Sequence, residues 1–245
     1  VTTAASNSTS SILSPGNLAL GSASRTFTVA DGSAPDDLVV SATVTGVGVG
    51  IIKAGPGRMV LSTNNSYNGI TTVNAGSLIV DGMQQFSNAV VNSGGTLGGS
   101  GTVRNITANA GGIVSPGASP GILSAGPTVV LNAGSTFEVE LYGTTPGTLY
   151  DQLNVTSTVT LGATLSVTLG FTPMVGNTFT IIQAATSVTG TFAGLPEGAT
   201  FCVDTATLQI HYTATSVTLS VIALDTTAPT VTAPPAATVT QTTCQ

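Results

Sequence analysis

Apolar and polar residues alternate with a period of two along most of the chain. Phe27 and Val29 mark one such run, and Leu38 and Val40 mark the next. This period predicts β-strands that bury one face. The i, i+3, i+4, i+7 spacing of an amphipathic helix is not sustained in any stretch. The pattern therefore predicts an all-β protein of short strands joined by turns.

A short phrase, Asn followed by Ala or Ser and then Gly, recurs at the ends of apolar runs. Its Asn residues are spaced 18, 17 and 23 positions apart. Self-similarity with a period near 20 predicts a solenoid, in which each coil packs on its neighbours. Asn and Gly tolerate positive φ, and stacked corners could align the Asn side chains into a ladder. The predicted structural corner residues are Asn74, Gly76, Asn92, Gly94, Asn109, Gly111, Asn132 and Gly134.

The distribution of the phrase divides the chain into four predicted segments. Residues 1–16 are small and polar and form an N-terminal arm, and residues 17–147 form the β-helix coils. From 148 to 224 the phrase is absent and the strands lengthen, which predicts a C-terminal β-helix or cap region. Residues 225–245 are rich in Pro and Thr and form an extended linker or tail.

Charged residues are scarce, and this narrows the possible partners. They make up only 6% of the chain, with four bases and a formal net charge of −6. A chain with so few bases lacks the basic patch that nucleic-acid binding requires. Because no run of 18 apolar residues occurs, we also predict no transmembrane segment. Few charges are present to oppose edge pairing or lateral association.

The residues resemble those of a known family. The segment 55–78 resembles the autotransporter-associated β-strand repeat of bacterial passenger domains, and similar passenger-like stretches lie at 94–101, 115–121, 150–153 and 192–199. The resemblance implies a right-handed parallel β-helix that is exported from a bacterium and displayed outside the cell. It transfers no catalytic residue, metal site or cofactor to this chain.

Few residues offer chemistry of their own. Glu138 and Glu140 share one face of a predicted strand and could hold a cation or have a raised pKa, but an amphipathic strand with its polar side in water explains them more simply. Cys202 and His211 lie on a predicted hairpin and could act as nucleophile and base. No third group is evident to orient His211. We predict no catalytic or metal site.

The two cysteines have a structural use. A disulfide between Cys202 and Cys244 would close a loop of about 43 residues and pin the tail to the cap, a stabilisation of about 4 kcal/mol by loop entropy. A bond between neighbouring molecules is the alternative. The sequence leaves both possibilities open.

These observations favour a non-enzymatic extracellular structural or adhesive β-solenoid that self-associates. It would be a cell-surface passenger or a subunit of an extracellular fibre or biofilm matrix, and it would form a homo-oligomer or filament through its ends, arm and tail. One alternative is a display stalk or a passenger that binds surface glycans. A second is a polysaccharide-cleaving β-helix enzyme that uses a carboxylate such as Glu138.

Overall fold

The computed structural model describes residues 1–13 and 15–225, which contain 26 β-strands and no helix. Most strands belong to three sheets of eight strands each. Sheet 1 contains β3 (Arg25–Thr28), β6 (Ile51–Ala54), β8 (Thr71–Val73), β11 (Ala89–Val91), β14 (Ile106–Ala108), β17 (Thr128–Leu131), β20 (Thr158–Leu161) and β23 (Ser187–Gly190).

Sheet 2 runs beside sheet 1 along the chain. It contains β1 (Ser10–Ile12), β4 (Leu38–Val40), β7 (Arg58–Leu61), β9 (Gly76–Val80), β12 (Gly95–Gly99), β15 (Ile113–Pro116), β18 (Thr136–Leu141) and β21 (Thr164–Leu169).

Sheet 3 forms the remaining face. It contains β10 (Met83–Gln84), β13 (Thr102–Val103), β16 (Ile122–Ala125), β19 (Gln152–Val155), β22 (Thr178–Ala184), β24 (Thr200–Val203), β25 (Ala206–Tyr212) and β26 (Ser216–Leu224). A two-stranded sheet of β2 (Asn17–Ala19) and β5 (Thr43–Thr45) completes the first coils.

Up to β23, successive strands return to the same sheets coil after coil, and each pairs in parallel with the strand one coil away. Val90, for example, is in register with Thr72 below and Thr107 above. Parallel pairing between coils, repeated on three faces, is the arrangement of a parallel β-helix. The predicted all-β solenoid fold is confirmed.

The core is a column of inward side chains stacked from coil to coil. On sheet 2, Leu78, Leu97, Val114 and Phe137 follow one another in register, and each is fully buried. Each side chain therefore packs on its equivalents above and below as well as across the coil. An isolated coil would leave both of its ends open to water, so the coils stabilise one another cooperatively.

At the C-terminal end the pairing changes from parallel to antiparallel. Strand β26 pairs antiparallel with both β22 and β25, and β24 pairs antiparallel with β25. The buried Phe192 stacks on Phe137, with ring centroids 5.8 Å apart and an interplanar angle of 21°. Apolar side chains from this region thus cover the end of the solenoid core.

The predicted N-terminal arm is largely within the described residues, whereas the predicted C-terminal tail is not. Ser10–Ile12, within the predicted arm, forms β1 and pairs with Leu38–Val40 of the next coil. The backbone N–H of Thr3 donates to the Thr28 carbonyl. The predicted tail beyond residue 225 lies outside the described residues.

Candidate functional site

The four Asn-(Ala/Ser)-Gly phrases lie at the corner where each coil turns from sheet 1 into sheet 2. The Nδ2 amide of Asn92 donates to Oδ1 of Asn74 at 2.8 Å, and Asn109 donates to Asn92 at 2.8 Å. Asn132 donates to Asn109 at 3.2 Å. Asn92 and Asn109 each donate one of these hydrogen bonds and accept another. The four side chains therefore form a continuous ladder, with one Asn as a rung in each of four coils.

The glycines of the corner permit its sharp turn. Gly76, Gly94, Gly111 and Gly134 all have positive φ, between 62° and 83°, a region that residues with a Cβ rarely adopt. Gly94 N–H also donates to the Gly111 carbonyl at 3.0 Å, and Gly111 N–H donates to Gly134 at 2.7 Å. The corner is therefore bonded through both backbone and side chain.

A second, shorter Asn ladder borders the other edge of sheet 1, and sequence reasoning missed it. Asn105 Nδ2 donates to Asn88 Oδ1 at 3.1 Å, and Asn105 Oδ1 accepts from the Thr128 N–H at 3.0 Å. The available signal was an Asn placed four residues before a corner Asn, in both Asn88/Asn92 and Asn105/Asn109. This spacing brackets a three-residue strand with Asn at both ends.

Lys53 closes the inner side of the corner beneath the first Asn phrase. Its fully buried side chain donates to the carbonyl oxygens of Ala54, Gly55 and Ala75 at 3.2, 2.8 and 2.9 Å. The ammonium group has three protons, so each can reach an acceptor. Burial lowers the pKa of Lys53 to about 8, and the nearby Asp37 carboxylate opposes that shift.

Between the two ladders lies the outer face of sheet 1, and one row of side chains runs along its full length. Every member is Thr, Ile or Val, and each is in register with the next. With eight strands about 4.8 Å apart, the row is about 34 Å long. We call it the β-branched row: Thr26, Ile52, Thr72, Val90, Thr107, Val130, Thr160 and Thr189.

No outward position of the sheet 1 strands carries a charge. Of the two charged residues in these strands, Lys53 is in register with the buried Val73 and is itself buried. Arg25 is in register with the buried Ile51 but is exposed on the end strand β3, where its Nε donates to the Leu20 carbonyl at 2.7 Å. The face offers only methyl groups, hydroxyls and the flanking Asn amides. It has no group for acid–base chemistry, and it lacks the charges that usually prevent contact between sheets.

The predicted acidic pair lies on the outer face of sheet 2. Glu138 and Glu140 are half-buried and alternate with the buried Phe137, Val139 and Leu141. Burial, followed by the charge of Glu140, raises the pKa of Glu138. Glu140 accepts hydrogen bonds from the Ser119 hydroxyl at 2.7 Å and the Tyr142 hydroxyl at 3.2 Å.

A buried carboxylate that sequence reasoning did not single out anchors the loop beside this pair. Asp151 Oδ1 accepts from Gly121 N–H at 2.7 Å, and its Oδ2 accepts from Glu140 N–H at 2.8 Å. Burial raises the pKa of Asp151 to about 6, although the two backbone bonds act in the opposite direction. The only hint in the sequence was the Tyr-Asp-Gln-Leu stretch among the passenger-like motifs.

The predicted Cys202 and His211 pair is not brought together. The hairpin closes with a two-residue turn, so Cys202 is opposite Thr207, and His211 lies four residues beyond, about 13 Å along the strand. His211 Nδ1 instead lies 3.0 Å from Glu197 Oε1. Cys244 is outside the described residues, so the predicted disulfide stays a prediction. Within the described residues, no group of three or more His, Cys, Asp or Glu side chains could hold a metal ion.

Comparison with known proteins identifies the repeat. Residues 51–80 match the family described as passenger-associated-transport-repeat. Over 80 residues, 31% of this chain, the sequence is 49% identical to the adhesin BmaC autotransporter of Brucella suis biovar 1 (strain 1330). Over 92 residues, 38% of this chain, it is 38% identical to an extracellular serine protease of Serratia marcescens.

These matches confirm the predicted resemblance to autotransporter passenger repeats and the predicted extracellular or cell-surface location. The matched regions amount to only 2% of the adhesin and 9% of the protease. The part of this chain that the structure describes contains no helix long and apolar enough to span a bilayer. The comparisons thus define a passenger-type repeat and leave the activity of the whole protein open.

Proposed function

We propose that this chain is a non-enzymatic, adhesive segment of an extracellular passenger, and that its rods associate side by side with a second copy through the β-branched row. The observation that carries the proposal is the row itself, which is β-branched in all eight strands of sheet 1 and charge-free. The adhesin relative is consistent with an adhesive role.

The size of the face sets the strength of the contact. The strip is about 34 Å long. Its width, from one flanking Asn position across the β-branched row to the other, is about 13 Å, so its area is about 450 Å² on each partner. A stable interface buries about 800 Å² on each partner. One pair of rods should therefore associate weakly, and several rods side by side should be needed for a persistent assembly.

The ends of the solenoid are less suited to joining than the sequence alone suggested. At the C-terminal end, the antiparallel strands β24 to β26 and the buried Phe192 cover the core. Strands β21 and β23 are still the end strands of sheets 2 and 1, so only sheet 3 continues into the antiparallel cap. Another rod stacked at this end would meet the cap and not an open core, and we therefore favour lateral contact over end-to-end growth here.

The non-enzymatic part of the proposal rests on the chain's own residues. The β-branched row has no titratable group, the Asp151 carboxylate is engaged by backbone amides, and the sole histidine faces Glu197. A hydrolase would need an available nucleophile or acid–base pair. The protease activity named for the Serratia relative is therefore not transferred to this chain.

Sedimentation velocity over a concentration series, with electron microscopy of the same samples, tests the association. The wild type should form laterally associated rods as concentration rises. Thr107→Lys places a charge at the centre of the row and should keep the protein monomeric. Thr136→Lys, also at a half-buried outward threonine but on sheet 2, should behave like the wild type.

Persistently monomeric wild-type rods, or equal loss of association in both variants, would overturn the lateral contact. Hydrolysis assays on a polysaccharide panel and on casein test the enzymatic alternative. No turnover is expected. Turnover that Glu138→Gln abolishes would replace the proposed function with a hydrolase.

A further inference from the structure

Sheet 3 carries a groove on its outer face with a volume of about 380 Å³. One outward residue from each of four successive coils lies along the groove, and the four are in register: Thr102, Ser124, Asn154 and Gln183. Small residues such as Ala125, Gly126 and Ala185 keep the groove open beside this row. The volume falls within the range of sites for small ligands.

The polar groups in this groove have unused hydrogen-bonding capacity. Asn154 Oδ1 is inaccessible to solvent and has no hydrogen-bond partner among the described residues. A buried amide oxygen without a donor costs free energy, so such an atom calls for a donor from outside the chain. Gln183 is exposed, and its Nε2 donates to the carbonyls of Ala184 and Thr215.

A smaller groove of about 210 Å³ on sheet 2 makes a useful contrast. Arg58 at one end of it pairs with Asp36 at 2.7 Å, and Glu140 at the other end accepts from Ser119 and Tyr142. The charged groups of the sheet 2 groove are therefore satisfied within the protein. The sheet 3 groove is the one that holds an orphaned polar atom.

The lining of the sheet 3 groove selects the class of ligand. It contains no charged side chain, and Arg104 lies one coil below Gly126 outside the lining. An ionic ligand would thus be desolvated without a counter-charge. A peptide would also fit poorly, because the backbone of parallel strands in a sheet face is already paired and cannot add a strand to the ligand.

We propose that this groove binds a short neutral oligosaccharide that lies along the solenoid axis. Sugar hydroxyls donate and accept, so they can contact Thr102, Ser124 and Gln183. Rotation of the Asn154 amide toward the groove would give its Oδ1 the donor that it lacks. These four polar side chains recur about every 4.8 Å along the solenoid axis, so each successive sugar unit can contact one of them. The methyl group of the exposed Ala185 can contact the C–H face of a ring.

The lining contains no aromatic side chain on which a sugar could stack. Binding should therefore be weak, with a Kd of about 1 mM for a single groove. Rods associated through sheet 1 would display many such grooves and bind a polymeric glycan with avidity. The β-branched row and the sheet 3 groove lie on different faces. Experiments can therefore disprove the lateral association without disproving saccharide binding, and the reverse.

The test uses saturation-transfer NMR and calorimetric titration of the 245-residue chain with cellotriose, maltotriose, triacetylchitotriose and an uncharged ten-residue peptide. Asn154→Leu removes the orphaned acceptor at similar volume. It should weaken saccharide binding about ten-fold or more, while thermal stability stays equal or rises because a buried unpaired oxygen is lost. Ser166→Ala, on the outer face of sheet 2, is the matched control and should bind like the wild type.

At least one trisaccharide should bind to the wild type in the millimolar range, and Thr107→Lys should retain that binding because it lies on sheet 1. If no trisaccharide binds at concentrations up to about 20 mM, which is about 20 times the expected Kd, the proposal is overturned and the groove holds only water. Equal affinity for wild type and Asn154→Leu, or binding of the peptide alone, would overturn it as well.

Discussion

The outer faces of sheets 1 and 2 differ although they belong to the same coils. Both sheets have eight strands, and both supply one side of the same buried column. Charged residues in the strands of sheet 2 (Arg58, Glu138 and Glu140) point outward. In sheet 1, Lys53 is buried and Arg25 is exposed only on the end strand, and neither belongs to the β-branched row. The fold therefore tolerates outward charge, and its absence from the β-branched row is not a requirement of folding.

This difference separates two roles within one solenoid. Inward residues and corners determine that the coils stack, whereas outward residues are free to meet solvent or another molecule. Sheet 2 uses part of this freedom for a covering loop that Asp151 fastens to β18. Sheet 1 keeps the β-branched row between two Asn ladders, and this uncharged surface is suited to contact with a second rod.

The largest expected effect is a change of the free energy of unfolding with pH, which arises from Asp151 beside sheet 2. The pKa of Asp151 is raised from 3.8 to about 6, so the folded state binds this proton more tightly than the unfolded state. Stability from this group is therefore greatest below about pH 4 and is lost as pH rises through about 6. The loss should be as much as about 2 kcal/mol, because solvent screening reduces the full effect of the shift.

Urea unfolding of wild type and Asp151→Asn from pH 3.5 to 7.5 measures this effect. The free energy of unfolding of the wild type minus that of the variant should fall between pH 4 and 6 and then level off. A difference that rises with pH would contradict the burial of this carboxyl group. Association of the wild type, measured in parallel, should be insensitive to this pH range because the sheet 1 row has no titratable group.

The next effect distinguishes the inward and outward sides of sheet 1. Val129 and Val130 are neighbours on β17, but Val129 is fully buried and Val130 belongs to the β-branched row. Val129→Thr buries a hydroxyl and should cost about 2 kcal/mol of unfolding free energy. Val130→Thr should change it by less than about 0.5 kcal/mol.

Thermal and urea unfolding of both valine variants checks this assignment. Equal costs would mean that the outer face is covered within the monomer. The β-branched row would then not be available to a partner.

The smallest effect concerns the ladder that borders the row. Asn92→Ala removes an inner rung that makes two side-chain hydrogen bonds, and it should cost about 1–2 kcal/mol. Asn132→Ala removes one such bond and should cost about half as much. Urea midpoints of the two variants measure the ratio, and an equal or reversed order would argue against a ladder of coupled rungs.

The sequence predicted the solenoid because its corners recur as a visible phrase. It could not predict which residues stack in register, since the coil between Asn109 and Asn132 is longer than the one before it. The structure places most of the extra residues between the end of β15 and the part of β16 that pairs with β13, so the Asn ladder continues through that coil unbroken. An insertion that leaves the core intact is not distinguishable from a change of period by spacing alone.

The β-branched row and the sheet 3 groove were hidden for the same reason. Their members are ordinary Thr, Val, Ser and Asn residues from distant parts of the chain, and they become a surface only through the parallel register. The C-terminal cap was expected as a region of longer strands, but its antiparallel order depends on long-range pairing of β22 with β26. Local alternation contains no information on the direction of a partner strand.

Photo-crosslinking at single positions tests the central claim most directly. A benzoylphenylalanine at Val130 on sheet 1, or at Thr136 on sheet 2, is irradiated in an equal mixture of ¹⁴N- and ¹⁵N-labelled protein, and mass spectrometry identifies the mixed-label crosslinks. The lateral contact predicts mixed-label crosslinks from position 130 to members of the partner's β-branched row and few from position 136. Mixed-label crosslinks that arise mainly from position 136, or that join only the ends of the rods, would contradict it.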